Sequence, residues 1–425
     1  DAVYSAFAHA GQKCSASSLL VLVSSAGTSE RIARQLVDAT ASLRVRLPLS
    51  LDSQMGPVVV PDDEKAVRGL TTLGSGEHWV LKPRYLGDGL WTPGIRAGVV
   101  PGSEFHLTEY FAPVIGVMRV DTLQEAIEAV NAVDYGLTSG LQTLDAAELA
   151  VWLDSIQAGN IYVNRGITGA IVRRQPFGGW KRSAIGSTTK AGGPSYLLGL
   201  GEVEPARGQG GKVEQGTAAL DPRVANLCDA VSSQLDAADL AELRRALVAD
   251  AAAWRTAYGA NRDVTGLACE RNILRYREVD VVVRAGQGTA LADVVRVMAA
   301  GVRAGGFISL SVADRLPQPL QNALLAAGVQ VAVEDQGAWD ARLAELAASG
   351  GLGTRVRVIG PREETSAARW SHASRVTGGS PDIALYTGAV TACPHSELLP
   401  FLREQAVAVT NHRFGTPLDL AEGLL

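Results

Sequence analysis

Apolar runs alternate with helical periodicity along the first half of the chain. The run Leu-Leu-Val-Leu-Val at 19–23 predicts a buried strand. Thr28, Ser29 and Glu30 then supply a cap and an acidic first turn for a helix with apolar residues at 32, 36 and 37. This order predicts a strand that is followed directly by a helix.

Two more helices and a strand are predicted further along. One helix begins at a cap, Asp121 or Thr122, has apolar positions 123, 127 and 130 on one face, and ends at Gly136. Another covers about 146–157 and leads into a strand at 160–163. Because strands that alternate with helices form parallel sheets, the pattern predicts an α/β, doubly wound sheet with sites at its strand ends.

The second half repeats this alternation after a polar stretch. Residues 206–222, rich in Gly, Gln and Glu, predict a linker between a domain at 1–205 and another at 223–425. A helical segment at about 221–254 comes first. Strands are then predicted at 280–283, 307–310, 329–333 and 355–359, with helices around 291–300, 320–327 and 339–348. The order predicts a Rossmann-like sheet.

Composition narrows the class of protein. The 425 residues are 47% hydrophobic and 20% charged, which suits two or three packed domains. A net charge of -5 gives no footprint for nucleic acid or an anionic membrane. Four scattered cysteines and six histidines indicate neither a metal site nor a disulfide framework. We therefore expect a cytoplasmic protein that acts on a small molecule, either as a monomer or as a homo-oligomer.

Cys14 is the first candidate for chemistry. It follows a chain-reversing glycine, Gly11, and small neighbours at 15–17 would let a substrate approach its sulfur. Lys13 adds positive charge, which favours the reactive thiolate. The residues alone leave two interpretations open, a buried structural cysteine or a nucleophile.

A family resemblance favours the nucleophile. Phe7 followed by Gly-Gln-Lys-Cys-Ser-Ala at 11–16 resembles the nucleophile loop of aldehyde dehydrogenases, in the form found in glutamate γ-semialdehyde (1-pyrroline-5-carboxylate) dehydrogenases. The resemblance implies that the Cys14 thiolate attacks the aldehyde carbon to form a thiohemiacetal. Hydride then passes to NAD, and the resulting thioester is hydrolysed to glutamate.

A second stretch resembles the cofactor segment of the same family. Thr-Glu-Tyr-Phe-Ala-Pro-Val at 108–114 resembles its Glu-x-Phe-Gly/Ala-Pro-Val motif. The resemblance implies that Glu109 binds the ribose hydroxyls of NAD and that Phe111 packs on the nicotinamide. Outside the family, such a stretch is a strand end followed by a turn.

A third stretch points to the substrate. Residues 164–179 resemble the loop that anchors the α-amino acid end of glutamate γ-semialdehyde. The resemblance implies that the backbone amides of Gly169 and Ala170 bind the substrate carboxylate, as would the Ser15 hydroxyl, and that Phe177 packs on the aliphatic stem. Successive amides in a glycine turn can bind an anion; taken alone, a loop rich in glycine is simply a loop.

The second half resembles a nucleotide-binding domain that has lost its ligand. Residues 299–311 are similar to that domain of aldehyde dehydrogenases, but Ser311 replaces the family's lysine and Gly360-Pro361 its glycine-serine turn. Residues 398–417 resemble the tail of bifunctional proline utilisation A proteins. Within it, His412 is a catalytic candidate or, as we expect, a packed or solvated histidine.

Taken together, the resemblances imply a fold and a function. We expect a partial aldehyde dehydrogenase catalytic domain that begins just before its nucleophile, then a degenerate Rossmann-like domain. The implied activity is NAD-dependent oxidation of glutamate γ-semialdehyde in proline catabolism, with substrate channelling. The upstream nucleotide-binding and proline dehydrogenase regions, the latter with FAD, would be missing. Alternatives are a non-catalytic lid module in a proline-catabolic assembly and a complete thiol enzyme of unknown substrate.

Overall fold

The chain divides into two compact units in a computed structural model that describes residues 1–187, 189–204 and 219–425. Unit 1 comprises Asp1–Arg174, Thr265–Asn272 and Val407–Leu425, and unit 2 comprises Gln175–Val264 and Ile273–Ala406. The linker predicted at 206–222 lies mostly outside the described residues, and the predicted domain boundaries stay predictions.

A four-stranded sheet organises unit 1. Its order is Leu19–Val23, Val114–Val120, Gly94–Val99 and His78–Leu81. The first three strands are parallel, and the edge strand His78–Leu81 is antiparallel to its neighbour. The strand predicted at 19–23 is therefore confirmed in its bounds, although its five residues are half-buried and not buried as predicted. An α/β sheet is confirmed for this half.

Two helices of unit 1 begin at caps that the sequence predicted. The Ser29 hydroxyl accepts a hydrogen bond from the Ile32 amide at 3.4 Å, and the Thr122 hydroxyl accepts one from the Glu125 amide at 3.2 Å. Thr122 and not Asp121 is thus the cap of its helix. The helices are Ala2–Phe7, Ser25–Thr28, Glu30–Ala41, Glu64–Thr71, Glu104–Leu107, Leu123–Asn131 and Ala146–Ser155.

One predicted helix end was wrong. The helix that starts at Leu123 ends at Asn131, five residues before Gly136. The Asn131 side chain donates to the carbonyl of Ser155 at 2.9 Å and accepts from the amide of Gln157 at 2.9 Å. These bonds tie this helix end to the end of the helix Ala146–Ser155, and Gly136 lies in the short strand that follows.

The remaining strands of unit 1 include the one that leads into the third predicted site segment. Asn160–Val163 is wholly buried and pairs in parallel with Thr138–Leu141. The others are Tyr85–Gly87, Leu90–Trp91, Tyr135–Gly136, His412–Arg413 and Thr416–Pro417. Two long strands, Glu270–Glu278 and Leu402–Thr410, contribute residues to both units.

Unit 2 contains a parallel, Rossmann-like sheet, as predicted. Its five strands run in the order Gln330–Val333, Ile308–Val312, Val281–Ala285, Thr354–Ile359 and Ile383–Tyr386, all parallel. The sequence predicted the first four of these strands and missed the fifth. Arg262–Asp263 and Trp180–Lys181 are short strands of the same unit.

The helices of unit 2 surround an apolar core. Leu291–Ala304 is buried along most of its length. The others are Pro222–Asp229, Ala237–Ala253, Gln318–Ala326, Gln336–Ala348, Ser366–Val376 and Pro394–Leu398, with single 3-10 or π turns at Tyr196–Leu200, Trp254–Tyr258 and Leu399–Phe401. No helix in the described part of the chain is both long and apolar enough to cross a membrane.

Candidate active site

Cys14 lies on an exposed turn that a left-handed stretch of backbone sets up. After the helix Ala2–Phe7, three consecutive residues have positive φ: His9 at 55°, Ala10 at 56° and Gly11 at 68°. This backbone region is costly for residues that carry a Cβ. The chain thus turns sharply just before Cys14, whose side chain is solvent-exposed.

Gly11 holds this turn against the segment that contains Glu109 and Phe111. A Cβ atom placed on Gly11 would overlap the carbonyl oxygen of Ala112 and lie 2.9 Å from its carbonyl carbon. Only glycine suits both the positive φ and this close approach. The glycine of the first motif therefore brings the first and second motifs into contact.

Gln12 joins the same two segments by hydrogen bonds. Its side-chain amide donates to the carbonyl oxygen of Phe111 at 3.0 Å, and its amide oxygen accepts from the backbone N–H of Val59 at 2.8 Å. The Gln12 side chain thus holds the Cys14 turn against Phe111.

Buried and exposed side chains alternate along residues 109–112, so that two of the four side chains face solvent. Tyr110 and Ala112 are 5% exposed, whereas Glu109 and Phe111 are exposed. The buried Tyr110 ring stacks on Phe105, and its hydroxyl donates to Glu104 at 3.0 Å; burial, with the nearby Glu104 carboxylate, raises the pKa of Tyr110. Glu109 and Phe111 are therefore presented from a rigidly packed base.

The predicted carboxylate loop reaches the Cys14 turn through Ser5. The hydroxyl oxygen of Ser5 accepts a hydrogen bond from the Ile167 amide at 3.1 Å, and its carbonyl oxygen accepts one from the Ser17 amide at 2.9 Å. Ser5 itself is 3% exposed. A single buried residue thus holds the loop after Cys14 and the loop before Gly169.

The end of the strand Asn160–Val163 fixes the other side of this loop. Asn164 has a φ of 55°, and its side chain bonds both the amide and the carbonyl of Thr143, at 3.0 and 2.8 Å. The Arg165 guanidinium pairs with Glu270 at 2.5 Å. These contacts anchor residues 164 and 165 at the start of the loop.

Gly169 and Ala170 form the exposed tip of the loop. Gly169 has a φ of 85°, and within the described residues the amides of Gly169 and Ala170 donate no hydrogen bond. Beside them, Thr168 is 5% exposed and its hydroxyl has no partner in the described part of the chain. The tip therefore offers donors to a ligand.

Two further predicted residues have different surroundings. Ser15 follows Cys14 directly but is buried at 5% exposure. Phe177 belongs to unit 2, where its backbone exchanges hydrogen bonds of 2.9 Å with Ala191. The structure therefore gathers Cys14, Ser15, Glu109, Phe111, Gly169 and Ala170 in one unit, and the roles of these residues and of Phe177 stay predictions.

In unit 2 the position that replaces the family's lysine is part of the core. Ser311 is fully buried, and its hydroxyl accepts a hydrogen bond from the Arg284 guanidinium at 2.8 Å. The side chain is thus committed to the interior of the sheet. In unit 1, His412 is exposed. Among residues 1–187, 189–204 and 219–425, no cluster of acidic, histidine or cysteine side chains could hold a metal ion.

The sequence did not reveal the residues that assemble this site. Ser5 and Gln12 bond partners 162 and 99 positions away, so neither contact leaves a local pattern. Gln12 does lie inside the sequence motif around Cys14, and that position is the one feature of the sequence that points to it.

Comparison with known proteins shows which family the first part of the chain resembles. Residues 1–200 match the model of the aldehyde dehydrogenase family. The chain is 35% identical over 199 residues to a 1-pyrroline-5-carboxylate dehydrogenase of Bacillus subtilis (strain 168) and 33% identical to one of Geobacillus sp. (strain WCH70). Both alignments cover 46% of this chain and 38% of the relative.

A solved structure extends the likeness to both units. Proline utilization A (PutA) from Corynebacterium freiburgense has a TM-score of 0.77 and 37% identity, covering 98% of this chain and 37% of that one. The chain therefore spans less than two fifths of the length of these relatives. It shares its fold with part of that PutA, and its residues 1–200 match the model of the aldehyde dehydrogenase family.

Proposed function

We propose that the chain carries the thiol centre of an NAD-dependent glutamate γ-semialdehyde dehydrogenase. One observation supports this above the others. Ser5, Gly11 and Gln12 attach the Cys14 turn to both the Glu109 segment and the Gly169 loop. A nucleophile, a cofactor segment and an anion-binding loop thus converge on one short stretch of chain.

The proposed first step is attack by Cys14 on the aldehyde. The sulfur bonds to the carbonyl carbon while the π electrons of the C=O bond move to oxygen, which gives a thiohemiacetal anion. The Cys14 backbone N–H donates no hydrogen bond within the described residues, so it can donate to that oxygen. The exposed turn lets the aldehyde approach from solvent.

The Gly169 loop would hold the other end of the substrate. A carboxylate is satisfied by converging backbone N–H groups, and those of Gly169 and Ala170 are available. Because hydrogen bonds to a charged acceptor are about twice as strong as neutral ones, this anchor would select aldehydes that carry a carboxylate.

Glu109 and Phe111 suit the nicotinamide end of NAD. Both side chains are exposed on the segment that contacts the Cys14 turn, and they offer a carboxylate for ribose hydroxyls and an apolar ring for the nicotinamide. When bound, NAD supplies the acceptor for the aldehyde's hydride. The Cys14 thioester that remains is split by water, which releases glutamate and restores the thiol.

Replacing Cys14 tests the nucleophile. In the protein that carries this chain, Cys14→Ala should lower NADH formation from glutamate γ-semialdehyde by about a thousandfold or more. Cys269→Ala is the matched control, since Cys269 is also an exposed thiol of unit 1. Undiminished turnover by Cys14→Ala would disprove the proposal.

Replacing Ala170 tests the anchor. Ala170→Pro removes one amide donor and should lower kcat/KM for glutamate γ-semialdehyde by roughly 10- to 100-fold. Propanal, which lacks a carboxylate, should be oxidised with kcat/KM changed less than about threefold. Equal losses for both aldehydes would show that the loop does not recognise the carboxylate.

A further inference from the structure

Unit 2 contains a cavity whose lining includes none of the residues proposed for aldehyde oxidation. Its volume is about 390 Å³, within the range of small-ligand sites. Trp180, Lys190, Arg355, Arg403 and Glu404 line it, and all of them belong to unit 2. Its lining carries charged side chains of both signs, five basic and four acidic.

Arg403 lies in this cavity without an acidic partner. Its guanidinium stacks over the Trp180 ring, 4.2 Å from the ring centroid. In the described part of the chain it makes no ion pair, and its buried Nε has no hydrogen-bond partner. Trp180 is itself fixed, because its indole N–H donates to the Glu404 carbonyl at 2.9 Å.

Arg355 adds a second guanidinium to the same cavity. Its Nη1 donates to the carbonyl oxygens of Leu399, Pro400 and Leu402, at 2.8, 3.0 and 2.6 Å. Among the described residues it, too, has no carboxylate within ion-pair distance. Burial, together with the charge of Arg355, lowers the pKa of Arg403 to about 10.

Two other buried arginines of unit 2 pair with a carboxylate, whereas the buried Arg284 donates to the Ser311 hydroxyl and the Glu334 carbonyl instead. Arg296 pairs with Asp250 at 2.6 Å and Arg357 with Glu397 at 3.2 Å, all four side chains being at most 5% exposed. Burying a charge is costly unless it is paired. The acids Glu278 and Asp280 favour the charged form of Arg403, but neither forms an ion pair with it in the described residues.

We propose that this cavity binds a small molecule through one carboxylate group, which pairs with Arg403 and Arg355. The planar guanidinium fork matches the two oxygens of a carboxylate. Glu404 and Glu202 line the same cavity, so the local charge is mixed and disfavours a doubly charged phosphate. A monoanion or an amino acid zwitterion is therefore the expected ligand class.

Acetate and inorganic phosphate, at equal ionic strength, are the probes for this site. Calorimetric titration of the whole chain should show saturable acetate binding in the millimolar range, tighter than phosphate binding. Arg403→Gln should weaken acetate binding at least tenfold, and Arg403→Lys should weaken it less. Arg315→Gln is the control, since Arg315 is an exposed arginine outside this cavity, and it should leave binding unchanged.

Other results would overturn the proposal. They are the absence of saturable acetate binding, equal binding by Arg403→Gln, and tighter binding of phosphate than of acetate. Circular dichroism checks that each variant folds, and Arg355→Gln replaces Arg403→Gln if the latter does not. Cys14→Ala should still bind acetate as the unaltered chain does, so failure of the proposed function would not affect this test.

Discussion

Replacing Gly11 by alanine tests whether the Cys14 turn is fixed against the Glu109 segment. Two separate penalties apply to Gly11→Ala. Its φ of 68° is a conformation that costs an L-residue about 1–2 kcal/mol, less up to about 1 kcal/mol from the lower entropy of the unfolded chain. The new methyl would also overlap the backbone carbonyl of Ala112, which cannot move aside as a flexible side chain could.

The overlap should dominate. Overpacking a tight contact costs about 1–3 kcal/mol, so Gly11→Ala should lower the free energy of unfolding by about 2–4 kcal/mol. Gly102→Ala isolates the first penalty, because Gly102 has a φ of 79° but no atom within 4 Å of its added methyl. That control should lose only about 0.5–1 kcal/mol.

Urea unfolding followed by circular dichroism measures both variants. A second readout is the alkylation rate of Cys14 by iodoacetamide, followed by mass spectrometry, which should change in Gly11→Ala and stay constant in Gly102→Ala. If the two variants lost the same stability and reacted alike, the contact between Gly11 and Ala112 would not hold the turn.

Three further outcomes follow from buried polar groups. Thr168→Val removes a buried hydroxyl that has no partner in the described residues, so urea unfolding should show a gain of about 1 kcal/mol; a loss would mean that the hydroxyl is satisfied in the folded protein. Burial lowers the pKa of Lys190 from 10.5 to about 7, so between those values the unfolded chain holds a proton that the folded chain lacks. Stability should therefore rise with pH across that window, and Lys190→Met should flatten the rise; an unchanged rise would refute the assignment. Asp250→Ala leaves the Arg296 guanidinium buried and unpaired and should cost about 3–5 kcal/mol, whereas adding Arg296→Met should restore most of it in the same assay. If the double variant were no more stable than Asp250→Ala, the pair would not be the cause.

The sequence predicted the elements whose signals are local. The strand at 19–23 and the helix that starts at Leu291 are marked by apolar runs and periodicity, and the structure confirms them. The helix Ser366–Val376 was missed. It has a weak apolar face, since Arg369 is buried while Trp370 is 52% exposed. The strand Ile383–Tyr386 was missed with it.

The sequence predicted the motifs of one site but not the contacts that hold them together. Cys14, Glu109 and Gly169 stand out by their neighbours in sequence, so a resemblance to a family could identify them. Their mutual placement depends on Ser5 and Gln12, whose partners are distant in the chain. The basic cavity was not predicted either, because an arginine without an acidic partner looks the same in sequence as one that has it.

The two hydrogen bonds of Ser5 have a consequence for protein engineering. Its hydroxyl oxygen binds the loop before Gly169, and its carbonyl oxygen binds the loop after Cys14. The distance between these two loops is therefore set by a single residue. A shift of the amino-terminal helix by a fraction of an ångström would be transmitted to both. Libraries that aim to alter the proposed aldehyde preference should therefore vary the helix Ala2–Phe7, which contains none of the residues predicted to bind substrate, as well as the exposed loops.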